Sequence, residues 1–421
     1  MVNRNTAIVI CPIDKDTFRD PDYKLAEAVG LAEAINLNVV SSRFVKVGRI
    51  SPATFISAGV VEQLAAEAAE TQAEVLIVDT QLSPVHQRNL ERACKIKVID
   101  RVGLILEIFG ARARTREGKL QVELAQLTYQ RSRLVRAWTH LERQRGGGGF
   151  TGGPGETQKE LDRRRIDDTV TRLKRQLAEV TRTRALHRKS RAVKPYPIVA
   201  LVGYTNAGKS TLFNRLTGAA VMAQDLLFAT LDPTMRQLKL PSGRQVILSD
   251  TVGFIDDLPT HLIAAFRATL EEVLEADLIL HVQDVTHEEA DVQAEAVVDV
   301  LGDLDIDGED NVRVMNVANK IDLLPSGERG KVTREFADNA GAAISAVGGQ
   351  GIAQLLKQID TRLSERDTFH EYTLPIENGE ALAWLYRNGE VIARRDNKKT
   401  IKVRVLLAED KVGMFEKKFL N

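Results

Sequence analysis

The chain has 421 residues, 58 basic and 58 acidic side chains, 43% hydrophobic residues and two cysteines. That length leaves room for about three folded units, and the ordinary hydrophobic share excludes a wholly disordered or collagen-like chain. No apolar run reaches the ~18 residues of a bilayer span, no signal segment is visible at the start, and Cys11 and Cys94 are too few for a disulfide framework or a zinc site. A soluble, cytoplasmic, multidomain protein without a membrane span is therefore expected; nothing in the sequence demands a dimer, so a monomer is expected as well.

Residues 1–110 read as a small α/β domain. Apolar strands at 6–11, 38–47, 75–79 and 97–99 alternate with helical patterns at 22–36, 58–70 and 83–94, the order of a parallel sheet. His86 and Cys94 stand alone there and read as surface or core filler. Residues 111–195 differ sharply, with 22 basic against 9 acidic side chains. Leu120, Leu124, Leu127, Arg131, Leu134, Trp138 and Leu141 follow a heptad seam, and Ile166, Val170, Leu173, Leu177 and Val180 form a second. Between them lies GGGGFTGGPG (146–155), seven glycines in ten residues, where helix should break. An antiparallel helical hairpin with a glycine-rich tip fits, an arm whose second helix (157–190) would run roughly 50 Å.

Residues 196–364 return to strands between helices: IVALVG, QVILSDTVG, LILHVQD and VRVMNVANK. Residues 365–421 give strand, helix, two strands and a short helix, a small terminal α/β domain with Trp384 and Tyr386 as expected core anchors. The fold class is multidomain α/β.

Four motifs in the third segment carry chemistry. GYTNAGKS (203–210) follows a strand and precedes a helix, the setting of a phosphate-binding loop. Gly203, Tyr204, Thr205, Asn206, Ala207 and Gly208 would turn their N–H groups toward phosphate oxygens, with Thr211 following in the helix. Lys209 supplies a point charge to the β and γ phosphates, and Ser210 can hold Mg²⁺. Asp250 ends the strand QVILS, where its carboxylate reaches Mg²⁺ through water, and Gly253 of the same DTVG can offer its N–H to a γ-phosphate. In NKID (319–322) the Asp322 carboxylate can accept from both N1–H and the exocyclic amine of guanine, while Asn319 and Lys320 shape and cover the base. Ser345 and Ala346 complete the pocket. Together the motifs specify GTP rather than ATP.

With FATLDPT (228–234), DTVGFI (250–255), DRVGLILEIF (100–109) and GGGGFTGGPGETQKELDRRRI (146–166), the chain resembles the HflX GTPases over essentially its whole length. The resemblance implies a GTPase that binds the large ribosomal subunit and its rRNA and dissociates stalled or idle 70S ribosomes. It implies that Thr230 coordinates Mg²⁺ in the GTP state, with Thr234 a competing choice, and sets Phe228 beside the nucleotide. Catalysis would then rest on Lys209, Thr230 and Gly253. The stretch SAGVVEQL (57–64) lacks the Gly-Lys pair of many members, so a second nucleotide role for the N-terminal domain is not expected.

Small GTPases place a water-orienting glutamine after D-x-x-G. Here Phe254 stands there, so slow intrinsic hydrolysis is expected until a partner orders the site. Asn206 either helps hold a K⁺ ion or simply shapes the turn. On the arm, Arg131, Arg133, Arg136, Arg143, Arg145, Arg163, Arg164 and Arg165 are candidate rRNA phosphate contacts, and Phe150 a candidate base-stacking residue. The alternative function is a large-subunit assembly or placeholder factor in which GTP only times departure.

Overall fold

A computed structural model describes residues 5–13, 20–136, 154–191, 196–219, 228, 234–254, 272–308, 312–365, 367–397 and 399–420. Thr230, Trp138, Leu141, Arg143, Arg145 and Phe150 lie outside them, and of Arg136 only the backbone is described. The chain divides into two compact units. The first comprises Met1–Thr181, Met222–Pro233 and Ile255–Glu271, and the second Arg182–Val221, Thr234–Phe254 and Glu272–Asn421.

In the first unit β1 (Thr6–Ile13), α1 (Pro21–Ala34), β2 (Asn38–Lys46), α2 (Ala58–Thr71), β3 (Val75–Val78), α3 (Pro84–Cys94), β4 (Lys97–Asp100) and α4 (Arg101–Arg112) follow in order. The strands make a wholly parallel sheet in the order β2-β1-β3-β4. Parallel strands are covered on both faces, so they read as continuous apolar runs, and all four residues of β3 are buried. The helices start where the sequence supplies caps: Asp20 accepts from Asp22 N–H, Ser83 from His86 N–H and Asp100 from Gly103 N–H.

The arm is built from α5 (Arg116–Arg136) and α6 (Pro154–Arg191). Leu124, Val170 and Leu173 are buried between them, flanked by Leu120, Leu127, Ile166 and Leu177, which is the expected double seam. Farther along α5, Arg131 meets Asp167 at 3.1 Å, so the two helices run antiparallel. Helix α6 takes in Pro154 and Gly155, the last two residues assigned above to the glycine tip. Proline tolerates that first helical position because its missing N–H has no intrahelical partner to lose.

The second unit begins with β5 (Ile198–Val202), α7 (Lys209–Thr217), β6 (Thr234–Lys239), β7 (Gln245–Asp250), β8 (Leu278–Asp284), α8 (Ala290–Gly302) and β9 (Val314–Asn319). α9 (Ser326–Asp338), β10 (Ala342–Ala343) and α10 (Ile352–Glu365) follow. Its six-stranded sheet has the order β10-β9-β8-β5-β7-β6, parallel except for the β6–β7 hairpin. Strand β5 has later strands on both sides, so the chain reverses its direction of growth there. A crevice opens at the carboxyl ends of such neighbouring strands, the usual ligand position in open α/β sheets.

The same unit ends in β11 (Asp367–Pro375), α11 (Gly379–Asn388), β12 (Glu390–Asp396), β13 (Thr400–Ala408) and α12 (Glu409–Phe419), with an antiparallel sheet ordered β11-β13-β12. Trp384 packs on the core of Tyr372, Leu385 and Phe415 as expected. Tyr386 does not: it is 53% exposed. A ten-residue helix has one inward stripe, filled by Ala381 and Leu385 four apart, and Tyr386 sits a further ~100° round the helix.

Candidate nucleotide site

The site grows out of β5. After its buried Val202 the chain must turn sharply under Val282, and only glycine can do so: Gly203 has φ +150°, and a Cβ there would lie 2.2 Å from Val282 O. Gly208, at φ +91°, caps α7 and is equally confined, since a Cβ would meet Asn319 Nδ2 at 2.2 Å. Between them Tyr204, Thr205 and Ala207 are buried, while Asn206 is exposed at φ +61°. Asparagine is among the few residues that tolerate the left-handed region, so Asn206 suits the turn it occupies.

Lys209, the first residue of α7, folds back into its own loop. Its Nζ donates to Gly203 O at 2.9 Å and Tyr204 O at 2.6 Å. Burial pushes its ammonium down to about 8, against the raising effect of Asp250. Next to it, Ser210 Oγ donates to Asp250 Oδ2 at 2.8 Å, and Asp250 is fully buried at the end of β7. Thr211 is half-buried on the same helix. The backbone after Asp250 runs against the loop: Thr205 N–H donates to Phe254 O at 2.8 Å, and Phe254 N–H to Gly203 O at 3.1 Å. That pairing sets Gly253 so close that a Cβ there would be 3.2 Å from Lys209 Nζ. Phe254 itself is buried, 2% exposed.

The base-side motifs join the same loop. Asn319 Nδ2 donates to Ala207 O at 2.8 Å, and its Oδ1 accepts from Ala346 N–H at 3.0 Å, so one amide braces two loops. Lys320, at φ +66°, pairs through Nζ with Asp284 Oδ2 at 2.6 Å. Asp322 is half-buried in the turn Ile321–Leu323. Ser345 is fully buried and its Oγ accepts from Gly348 N–H at 2.7 Å. Sequence reasoning missed Asp284, although a signal was available: it ends β8 as Asp250 ends β7.

Other candidates fall elsewhere. Phe228 belongs to the first unit, where it is buried edge-on against Phe109 at 4.8 Å between centroids. Arg163, Arg164 and Arg165 are exposed on α6. Arg133 is turned inward, its Nη1 donating to Asp100 Oδ2 at 3.0 Å and its Nη2 to Gln87 Oε1.

A phosphate-binding loop between a buried strand and a helix, facing a D-x-x-G turn and an NKxD turn at the carboxyl edge of one sheet, makes this molecule a P-loop GTPase. Four family descriptions match along the chain: GTP-binding GTPase N-terminal (22–110), GTP-binding GTPase middle region (112–191), 50S ribosome-binding GTPase (198–320) and HflX C-terminal domain (332–421). The GTPase HflX of Magnetococcus marinus is 47% identical over 97% of this chain and 94% of its own length. That of Escherichia coli is 46% identical over 80% of this chain and 78% of its own length. A GTP-binding protein of Sulfolobus solfataricus solved with GDP is similar at 23% identity and a TM-score of 0.46, covering 86% of this chain and 99% of that one. On the sequence relatives, the chain belongs to the HflX family of GTPases and hydrolyses GTP. Among the described residues no helix is long and apolar enough to cross a membrane.

Proposed function

We propose that this GTPase docks on the large ribosomal subunit through its basic arm and uses the GTP cycle to separate stalled or idle ribosomes. The carrying observation is the arm: two helices zipped by a leucine seam, with Arg163, Arg164 and Arg165 exposed, in a segment of 22 basic and 9 acidic side chains. A basic helical pair complements the negative charge of rRNA, and the match of residues 198–320 to a family described as 50S ribosome-binding supports the same partner. The reading divides the chain into a sheet domain (1–110), the arm (111–195), the GTPase domain (196–364) and a terminal domain (365–421).

At the nucleotide, Lys209 would exchange its bonds to Gly203 O and Tyr204 O for phosphate oxygens, and the N–H groups of the loop and of α7 would hold the remaining charge. Ser210 Oγ and the Asp250 carboxylate, 2.8 Å apart, are hard oxygen donors of the kind Mg²⁺ takes: Ser210 would hold the ion directly and Asp250 through water, with Thr230 the further group that the family resemblance implies. When bound, the ion neutralises charge on the phosphate oxygens. The pairing of Phe254 with Gly203 and Thr205 gives the DTVG turn a position tied to the loop, from which a terminal phosphate would draw Gly253 N–H. Phe254 offers water no polar group, so hydrolysis is slow until the ribosome orders the site or supplies one. Differential affinity for joined and separated subunits then turns docking into splitting.

The test mixes the purified chain with 70S ribosomes and GTP, GDP or a non-hydrolysable GTP analogue, and follows gradient profiles and phosphate release together. Loss of the 70S peak with GTP and with the analogue, alongside ribosome-stimulated phosphate release, is the expected result. Binding to the large subunit with 70S particles intact would instead favour the placeholder reading.

A further inference from the structure

Arg215 lies outside every motif above, in the last turn of α7. An arginine there ordinarily serves the carbonyls at its own helix end. This one reaches a loop 131 residues away: Nε donates to Ala346 O at 3.0 Å, and Nη2 donates to Val347 O. The Ala346 residue is thus gripped on both sides, its N–H by Asn319 Oδ1 and its carbonyl by Arg215. Both grips lead back to the phosphate loop and its helix, since Asn319 also holds Ala207 O.

The gripped loop is a closed turn. Ser345 N–H donates to Gln350 O at 3.0 Å and Gly349 N–H to Ser345 O at 2.8 Å. Gly349 sits at φ +81° against the guanidinium, where a Cβ would be 3.6 Å from Arg215 Cζ. The NKID turn adjoins it, Ile321 N–H donating to Ile344 O at 3.3 Å. Each turn also leaves an apolar side chain in water, Leu323 at 67% and Val347 at 73% exposure.

We propose that Arg215 is a positioning residue for the guanine end of the site, fixing the Ser345–Val347 edge to the phosphate helix so that base and phosphate are held by one rigid frame. The inference rests on the reading of Asp322, Ser345 and Ala346 as the base pocket. The planar guanidinium spans two successive carbonyls, which a lysine ammonium on its single point cannot match. Both of these Arg215 bonds go to the base-side loop rather than to the phosphate loop, so its loss should act on retention of the nucleotide and leave the chemical step alone.

Release of fluorescent GDP and steady-state hydrolysis, measured on the full chain, test this. Charge-assisted hydrogen bonds of this kind set the expected scale: R215A releases GDP about ten- to a hundredfold faster, with R215K between R215A and wild type. At saturating GTP, kcat stays within about twofold while KM rises. R215K also carries the test if R215A does not fold, with an expected acceleration of at least about threefold. A wild type that prefers GDP over ADP, with both variants releasing GDP at its rate, overturns the inference alone, as does a kcat that falls in step with retention. A wild type that holds ADP as tightly as GDP overturns the base-pocket reading and the inference with it.

Discussion

Each unit buries a cation at the carboxyl edge of its parallel strands, and the two are finished differently. In the first, Arg101 at the start of α4 bonds Glu27 Oε2 at 2.8 Å and Asp79 Oδ1 at 2.6 Å, and all three side chains are at most 4% exposed. Cys11 Sγ lies 3.7 Å from Asp79 Oδ2, and burial with that carboxylate pushes its thiol up to about 12. In the second, Lys209 is held by two backbone carbonyls, while the nearby Asp250 carboxylate is engaged by Ser210. A charge balanced by fixed carboxylates has no use for an anionic ligand. A charge resting on neutral carbonyls gains by exchanging them for phosphate. Position in the sheet therefore does not make a site; what satisfies the cation does.

The largest way to sharpen this contrast lies at the base. If the second edge is a guanine nucleotide site, Asp322→Asn replaces an acceptor by a donor opposite the exocyclic amine. The preference for guanosine over xanthosine triphosphate should then shift by about 10⁴-fold. Competition binding with the two nucleotides reads it directly. An unchanged preference would remove Asp322 from the base pocket.

The contrast also predicts a stability effect without a binding effect. Arg101→Met leaves Glu27 and Asp79 buried without their cation and should cost about 3–5 kcal/mol in the first unit. Hydrogen exchange at β1 and β3 of the full chain measures that loss, while GDP affinity should hold within about twofold because no residue of the triad belongs to the nucleotide motifs. Adding Glu27→Leu and Asp79→Leu to Arg101→Met should recover more than half of the loss, since a buried pair is worth little more than well-packed apolar groups. A fall in GDP affinity with Arg101→Met would break the contrast.

What the sequence disclosed follows from the range over which each feature is written. The phosphate loop, the D-x-x-G turn and NKID are contiguous because each is a strand end and the turn after it, so the residues that do the chemistry are neighbours in the chain. The arm was legible for a related reason: Leu120, Leu124 and Leu127 repeat at heptad spacing within one helix. The Arg101 triad was not, because Glu27 lies 74 residues away and no local pattern pairs them. Arg215 escaped likewise, 131 residues from Ala346. Arg133 shows the converse: it reads as one more charge on a basic helix, but the fold turns it to Asp100 and Gln87. Tyr386 shows that aromatic character alone does not choose the inward stripe of a short helix.

The smallest expected effect concerns how the second unit holds its edge against acid. His281 is buried on β8, its Nδ1 3.3 Å from Gln283 Nε2, and burial, with the nearby Lys209 charge in the same direction and a bond to Asn316 opposing, lowers it to about 4. An unfolded chain protonates this ring near its ordinary 6.5, whereas the folded one resists until about 4, so between those values the unfolded state binds more protons. Stability must therefore rise with pH across that window and fall as the solution is acidified through it. The gap between the two values corresponds to a loss on the order of 3 kcal/mol. His281→Leu has no proton to bind in either state, so hydrogen exchange at β5 and β8, followed from about pH 7 to about pH 4, should lose this slope in the variant and keep it in wild type. Because Lys209 lies close enough to bias the ring, GDP should change the wild-type slope by more than it changes the variant's. Equal slopes in both proteins would place the acid sensitivity of this edge on its carboxylates instead.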